Sequence, residues 1–136
     1  MRPFVYRLPV RFHDVDSAGI VFFARIFHYA HDAYEAWLRT IGYSLDRPAS
    51  ERGYGFPLVH AEADFHKPIL PGQEVVVELA PVAVGESSYT IRSSLSLPEG
   101  DALATVTTIH ACVDWATRRS RPIDPAMREI LSSYLA

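Results

Sequence analysis

Alternation of apolar and polar side chains over the first residues of the chain predicts a β-strand. The apolar members of this alternation are Phe4, Tyr6, Leu8, Val10 and Phe12. Arg7 and Arg11 occupy the opposite face, and a period of two is typical of a strand with one buried face. Pro9 cannot donate a hydrogen bond to a neighbouring strand. We therefore expect this strand to be irregular or to lie near a sheet edge.

A change of period to three and four residues predicts a long amphipathic helix over 24–41. The apolar positions are Phe27, Ala30, Tyr34, Trp37, Leu38 and Ile41. Charged side chains fill the positions between them, so one face of the helix can pack against a core. The segment is long enough for about five turns. Gly42 is a plausible stop signal. The segment 45–55 is rich in Pro and Gly and predicts a loop with room for one helical turn.

The rest of the chain predicts strands in succession, followed by a short helix. Alternation and β-branched composition mark strands over 59–65, 75–84, 88–97 and 102–115. Turns are predicted at 68–72 and 98–101. Asp124 before Pro125 resembles an N-cap with proline at the first helical position. The apolar positions of this last helix are Met127, Ile130, Leu131 and Tyr134.

This order of elements predicts an α+β fold within one domain, residues 1–136. One strand, one long helix and then a run of strands indicate an antiparallel sheet with the helix packed on one face. A single helix covers one face only, and unpaired sheet edges are normally covered. We therefore expect a homodimer, and the pattern leaves open whether dimers pair further into a tetramer.

Composition narrows the class of protein. The chain is 49% hydrophobic and 21% charged, which is typical of a globular domain. Its formal charge of −3 offers no excess of cations for nucleic-acid phosphates. A lone cysteine, Cys112, excludes an internal disulfide framework. No stretch reaches the roughly 20 apolar residues of a membrane span, and the first seven residues do not resemble a signal peptide. We expect a cytoplasmic protein.

The loop before the long helix carries two acids, Asp14 and Asp16, that allow two interpretations. Aspartate favours turns and helix starts because its carboxylate accepts local backbone N–H bonds. Alternatively, a carboxylate beside a helix N-terminus faces N–H groups that lack intrahelical partners. A thioester carbonyl held there would be polarised, and the carboxylate would attack it or activate a water. Spacing alone favours the structural interpretation.

Residues 14–23, Asp-Val-Asp-Ser-Ala-Gly-Ile-Val-Phe-Phe, resemble the active-site segment of hotdog-fold thioesterases of the 4-hydroxybenzoyl-CoA thioesterase type. The resemblance extends to about Trp115. Two further segments, 30–38 and 57–61, are most similar to the branch that hydrolyses dihydroxynaphthoyl-CoA. The resemblance implies a hotdog fold, in which an antiparallel sheet wraps around one long central helix. It also implies hydrolysis of an acyl-CoA, with an aromatic acyl group.

Carried over position by position, the resemblance assigns catalytic roles in this loop. Asp16 becomes the catalytic carboxylate, as nucleophile or general base, and Asp14 stays structural. The backbone N–H of Phe23 becomes the donor to the thioester carbonyl. Gly19 would let the backbone pass close to the acyl group.

Aromatic residues outside regular elements are candidates for the acyl pocket. The candidates in predicted loops are Phe22, Phe23, Tyr54 and Phe56, and their rings suit an aromatic acid. Five further side chains are interpreted first as packing residues: Phe27, Tyr34, Trp37, His110 and Cys112.

The remaining histidines allow alternatives. His28 and His31, three apart on the helix with Asp32 following, have metal-compatible spacing. Zinc and iron sites need three or more converging ligands, and no further motif converges here. We expect no metal and no organic cofactor. His60 faces away from its apolar strand neighbours, so it lies either at the surface or at the acyl pocket on the dimer seam.

Contacts to the CoA phosphates are not apparent from the sequence. Some members of the family use a basic cluster after the third strand, and the matching segment 84–88 has no Arg or Lys. The alternative cations are Lys67, Arg92 and the run 118–121. A short-chain acyl-CoA or acyl-carrier-protein thioesterase is the alternative enzyme. A non-catalytic acyl-CoA-binding module is the alternative of another class, although such a module needs no carboxylate at Asp16.

Overall fold

A computed structural model describes residues 3–43 and 45–136. Met1 and Arg2, part of the segment tested for a signal peptide, lie outside these ranges. In chain order the helices and strands are β1 (Phe4–Pro9), α1 (Arg25–Thr40), α2 (Ala49–Arg52), β2 (Tyr54–Gly55), β3 (Leu58–Phe65), β4 (Glu74–Val84), β5 (Ser88–Ser96), β6 (Ala102–Ala111), β7 (Val113–Asp114) and α3 (Pro125–Tyr134).

Five strands form one antiparallel sheet in the order β1-β4-β5-β6-β3. Strand β5 shows how alternation makes its two faces: Tyr89, Ile91 and Leu95 are buried, and Arg92 is exposed. Register places Tyr89 opposite His110 of β6. The predicted α+β hotdog architecture, a sheet with one long helix on its inner face, is confirmed.

Helix α1 fills the inner face of the sheet. Ala33 and Trp37 are fully buried, and the helix packs on β1, β4 and β6. Helix α3 lies beside it, because the ring of Tyr134 meets that of Trp37 edge-on at 5.7 Å. The predicted cap of α3 is present, since Asp124 Oδ1 accepts from the N–H of Ala126 at 3.2 Å.

Three predicted boundaries are wrong. Strand β1 ends at Pro9, because 12–14 forms a single 3₁₀ turn, and this leaves Phe12 84% exposed. The predicted strand 102–115 is broken at Cys112, whose N–H donates to the carbonyl of Ser87 outside the β6 ladder. Its last residues form β7, which pairs with β2, so the predicted loop 45–55 contains a short strand as well as the one-turn helix α2.

The sheet ends at β1 on one side and at β3 on the other. Strand β3 is exposed along almost its whole length, including the apolar side chains of Leu58, Val59 and Phe65. Within the described ranges, no helix combines the length and the apolar character needed to cross a membrane.

Candidate active site

Asp14 anchors the loop that precedes α1. It is 4% exposed, and Tyr29 Oη of α1 donates to its Oδ2 at 2.7 Å. The N–H of Arg11 donates to the same oxygen at 3.3 Å, and Arg25 Nε lies 3.8 Å from Oδ1. Burial and the bond to Asp14 raise the pKa of Tyr29, so its phenol stays a donor. Asp14 therefore has the structural role expected from the sequence.

Asp16 lies two residues further on and is exposed. Its N–H donates to the carbonyl of Ile20 at 2.9 Å, and its Oδ1 accepts from the N–H of Ala18 at 2.8 Å. Gly19 takes the left-handed region with φ of 79°, and a Cβ there would meet nothing within 4 Å. Gly19 is thus suited to the turn by its backbone angle, and the turn leaves the second carboxylate oxygen of Asp16 available to a ligand.

The chain then enters α1 through Phe22 and Phe23. The N–H of Phe22 donates to the carbonyl of Asp14 at 2.9 Å, and the carbonyl of Phe22 accepts from the N–H of Arg25. Among the described residues, no backbone carbonyl accepts from the N–H of Phe23. This N–H is free at the positive end of the dipole of α1, where a developing negative charge is stabilised.

A cavity of about 410 Å³ lies against these groups. Asp16, Phe22 and Phe23 line it from the loop, together with Phe65 at the end of β3 and Ile69. Its wall is mostly apolar with one carboxylate. Its volume falls in the range of sites for small molecules. The loop motif and this cavity together form a site with a carboxylate, a free N–H donor and an apolar pocket.

Other residues predicted for the site lie elsewhere in the chain. Phe56 lines a second cavity of about 680 Å³ near the C-terminal end of α1, and the ring of Tyr54 packs edge-on against Phe56 at 5.7 Å. His60 lies on the exposed β3, with Nε2 3.0 Å from Glu62 Oε1. Within one chain, the 410 Å³ cavity is lined by Asp16, Phe22 and Phe23. It is not lined by Tyr54, Phe56 or His60.

Comparison with known proteins identifies the family. The family model of the thioesterase-like superfamily matches residues 10–131, nearly the whole chain. The chain belongs to this superfamily. The predicted enzyme class, a thioester hydrolase, is thereby confirmed.

Relatives in the superfamily include enzymes with a stated substrate. The 1,4-dihydroxy-2-naphthoyl-CoA hydrolase of Synechococcus elongatus is 33% identical over 132 residues, 96% of each chain. That of Nostoc punctiforme is 32% identical over 88% of this chain and 80% of its own. A solved 1,4-dihydroxy-2-naphthoyl-CoA thioesterase from Synechocystis superimposes with a TM-score of 0.89 at 29% identity, covering 95% of each chain.

Several residues that line the 410 Å³ cavity have no signal in the local sequence. Phe65, His66 and Ile69 line it, but their segment predicts only a strand end and a turn. Long-range pairing of β3 with β6 brings this segment beside the start of α1, and no local signal encodes that contact. Lys67 also lines the cavity, where its Nζ lies 2.9 Å from Asp101 Oδ2.

The other cationic side chains that the sequence offers for the CoA phosphates do not lie together. Arg92 lies on the exposed outer face of β5, and Arg118 lines the 680 Å³ cavity with its guanidinium 3.7 Å over the ring of Trp115. Arg128 of α3 donates to the carbonyls of Gly85 and Glu86, which belong to the segment 84–88 that has no Arg or Lys of its own. Within residues 3–43 and 45–136, no three His, Cys, Asp or Glu side chains lie close enough together to hold a metal ion. His31, one of the two helix histidines, instead has its Nε2 3.1 Å from Glu35 Oε1.

Proposed function

We propose that this thioesterase hydrolyses the CoA thioester of a hydroxylated aromatic acid, with 1,4-dihydroxy-2-naphthoyl-CoA as the first candidate. One observation carries the proposal: Asp16, and Phe23 with an N–H that no backbone carbonyl of the described residues accepts, both line a mostly apolar cavity. The relatives named for this substrate, which match nearly the full chain, support the same choice.

The chemistry follows from these groups. The thioester carbonyl oxygen accepts from the N–H of Phe23, and the dipole of α1 stabilises the charge that develops on this oxygen. The carboxylate of Asp16 either attacks the carbonyl carbon or takes a proton from the water that attacks it. The bond from carbon to sulfur breaks, and the CoA thiolate takes a proton from solvent. If Asp16 attacked, water then hydrolyses the mixed anhydride and restores the carboxylate; if Asp16 acted as base, it passes its proton to solvent. The net reaction adds one water and needs no metal.

The cavity favours an aromatic acyl group. Three phenylalanines, Phe22, Phe23 and Phe65, line it together with Ile69. Rings pair at defined distances and angles, so an aromatic acyl group gains more from these contacts than a short aliphatic one. Burial of the ring in this cavity would hold the thioester beside Asp16.

We further propose a homodimer that forms through β3. This strand is a free sheet edge with exposed apolar side chains, which natural proteins normally cover. Antiparallel pairing about a two-fold axis would place Phe65 of one β3 beside Leu58 of the partner subunit. The cavity lined by Phe56 of the partner subunit would then lie near Asp16, as would His60 of the partner subunit. A site with residues from both chains follows. A cytoplasmic location stays a prediction from the sequence.

A panel of CoA esters tests the substrate class, with released thiol as the readout. We expect kcat/KM for 1,4-dihydroxy-2-naphthoyl-CoA and 4-hydroxybenzoyl-CoA to exceed that for acetyl-CoA and butyryl-CoA by more than about 100-fold, since several buried carbons distinguish the two classes. Equal or better hydrolysis of the short-chain esters, or of acyl-carrier-protein thioesters, would refute the aromatic assignment.

A further inference from the structure

The two groups proposed to react lie on different parts of the chain. Asp16 lies in a turn, where its N–H donates to the carbonyl of Ile20 and its side chain accepts from the N–H of Ala18. The N–H of Phe23 lies two residues before α1 begins at Arg25. The carboxylate must meet a carbonyl carbon whose oxygen this N–H holds, so the rate depends on the distance between the two groups. Contacts that fix the turn on the helix therefore set the geometry of the reaction.

Backbone contacts hold the two arms of the loop 14–23 together. The N–H of Phe22 donates to the carbonyl of Asp14 at 2.9 Å, and Val15 forms a β-bridge with Val21. The N–H of Val21 also donates to the carbonyl of Ile69 at 2.8 Å, which ties the second arm to the segment after β3. None of these three contacts joins the arm that carries Asp16 to α1.

The hydroxyl of Tyr29 makes that connection. Tyr29 lies in the second turn of α1, and its Oη donates to Asp14 Oδ2 at 2.7 Å. Within residues 3–43 and 45–136, this is the only hydrogen bond from a side chain of α1 to the loop 14–23. Arg25 adds a weaker contact, because its Nε is 3.8 Å from Asp14 Oδ1 and its side chain is 40% exposed. The bond from Tyr29 is thus both the shorter and the more buried of the two.

Burial makes the hydroxyl of Tyr29 a fixed point for the loop. Tyr29 and Asp14 are both buried, and Tyr29 belongs to the core under α1. A buried hydroxyl and a buried carboxylate are costly without partners, so each needs the other. Burial and the bond to Asp14 raise the pKa of Tyr29, so the phenol keeps the proton that it donates. Phenylalanine would fill the same place in the core, and the hydroxyl therefore serves the loop rather than the packing.

We propose that Tyr29 is a positioning residue: its hydroxyl holds the loop on α1 and so sets the Asp16 carboxylate at reacting distance from a thioester at the Phe23 N–H. This inference rests on the proposed roles of Asp16 and Phe23, and it adds a residue that does not line the 410 Å³ cavity. Asp14 transmits the constraint to both arms of the loop. It is two residues from Asp16, and its carbonyl accepts from the N–H of Phe22, which precedes Phe23.

Loss of the hydroxyl should displace the loop and leave the lining of the cavity in place. In Tyr29→Phe, the Asp14 carboxylate keeps only one hydrogen bond, from the N–H of Arg11 at 3.3 Å. Its contacts with the side chains of His13 and Arg25 are longer, at 3.6 and 3.8 Å. A carboxylate with so few donors gains by turning toward water, and the loop moves with it. Misplacement of a reacting group by about 1 Å costs on the order of 100-fold in rate.

The kcat and KM of Tyr29→Phe test the proposal, measured by released thiol on the CoA ester that the parent hydrolyses fastest. We expect kcat to fall by about 10- to 100-fold and KM to change little, because the residues that line the cavity remain. Asp124→Ala is the control for a weakened fold. It removes the cap of α3, outside the loop and the cavity, and should keep the kcat of the parent.

A double variant tests whether the hydroxyl acts through Asp14. Asp14→Ala removes the acceptor, so Tyr29→Phe should lower kcat no further when it is added to Asp14→Ala. If Tyr29→Phe lowers kcat by the same factor in both backgrounds, the hydroxyl acts by another route and the inference is overturned. Thermal melting identifies a variant that does not fold. In that case the kcat of the remaining one of Tyr29→Phe and Asp14→Ala, compared with Asp124→Ala, decides.

The outcomes separate this inference from the proposed function. If the parent is active and Tyr29→Phe has the kcat of the parent, the inference is overturned and the proposed function stands. A raised KM with unchanged kcat overturns it as well, because positioning acts on the chemical step. If the parent hydrolyses no ester, or if Asp16→Asn turns over like the parent, the proposed function fails and the inference falls with it. A preference for short-chain esters leaves this test unchanged.

Discussion

Two aspartates in one loop have opposite surroundings. Asp14 is buried and accepts hydrogen bonds from Tyr29 and Arg11, whereas Asp16 is exposed on the rim of a cavity. The sequence alone gives both the same turn-forming propensity. Burial separates them, because a buried carboxylate with several donors supports the fold, and an exposed one beside a free N–H can meet a substrate.

Asp14→Asn should reduce stability. An amide oxygen at the Oδ2 position can keep the bonds from Tyr29 and Arg11, but the NH2 group then faces Arg25, and the buried negative charge opposite that guanidinium is lost. We expect the free energy of unfolding in urea to fall by about 1–3 kcal/mol. Asp16→Asn is the control and should unfold near the parent midpoint. A parent-like midpoint for Asp14→Asn would show that the negative charge of Asp14 is not stabilising.

His110 predicts a pH dependence of stability. Burial lowers the pKa of its imidazole from 6.5 to about 4. Between these values the unfolded chain binds a proton that the folded chain does not, so stability is full above pH 6.5 and falls as the pH drops toward 4. We expect a loss from this group on the order of 3 kcal/mol, measured by urea unfolding at pH 7 and pH 4. In His110→Phe this difference should shrink, and an unchanged pH slope would contradict the assignment.

Among helices and strands, local patterns predicted those with one strong period. The three- and four-residue spacing located α1 within one residue of its ends, alternation located β5, and β-branched composition located β4. The break of the last strand at Cys112 depends on partners from distant loops, Ser87 and Arg121, which no local window contains. Tertiary hydrogen bonds determine such boundaries, and propensity does not.

Helix α3 depends on the residue that precedes it. Asp124 caps the N–H of Ala126, and Arg128 in the next turn holds the loop of Gly85 and Glu86. Asp124→Ala should lower the free energy of unfolding by about 1 kcal/mol, because a helix N–H loses its acceptor. Asp124→Asn keeps an acceptor and should stay within a few tenths of the parent. Equal losses in both variants, measured in urea, would show that the cap contributes nothing.

For the complete protein, the free edge at β3 predicts assembly. Val59→Lys adds a charge to this edge, which opposes pairing with a second strand. We expect light scattering at micromolar concentration to show a dimer for the parent and a monomer for this variant. Val5→Lys is the matched control: Val5 is exposed on β1, the opposite edge, and this variant should stay dimeric. A monomeric parent would refute the proposed interface.

The candidate site was predicted only in its contiguous part. Asp16 and Phe23 of the motif at 14–23 line one cavity, because the loop and the start of the helix are adjacent in sequence, and their catalytic roles stay a prediction. Phe65 and Ile69 reach the same cavity through long-range strand pairing. A pattern along the chain does not encode which strand passes below which helical turn.

Turnover of Asp16→Asn on 1,4-dihydroxy-2-naphthoyl-CoA tests the proposed chemistry most directly. Asparagine keeps the size of the side chain and an oxygen for the Ala18 N–H, but it removes the charge that attacks the ester or activates water. We expect kcat to fall by at least about 100-fold with KM little changed, because the cavity and the Phe23 N–H remain. Near-parent kcat in a folded Asp16→Asn protein would contradict the assignment of Asp16 as the catalytic carboxylate.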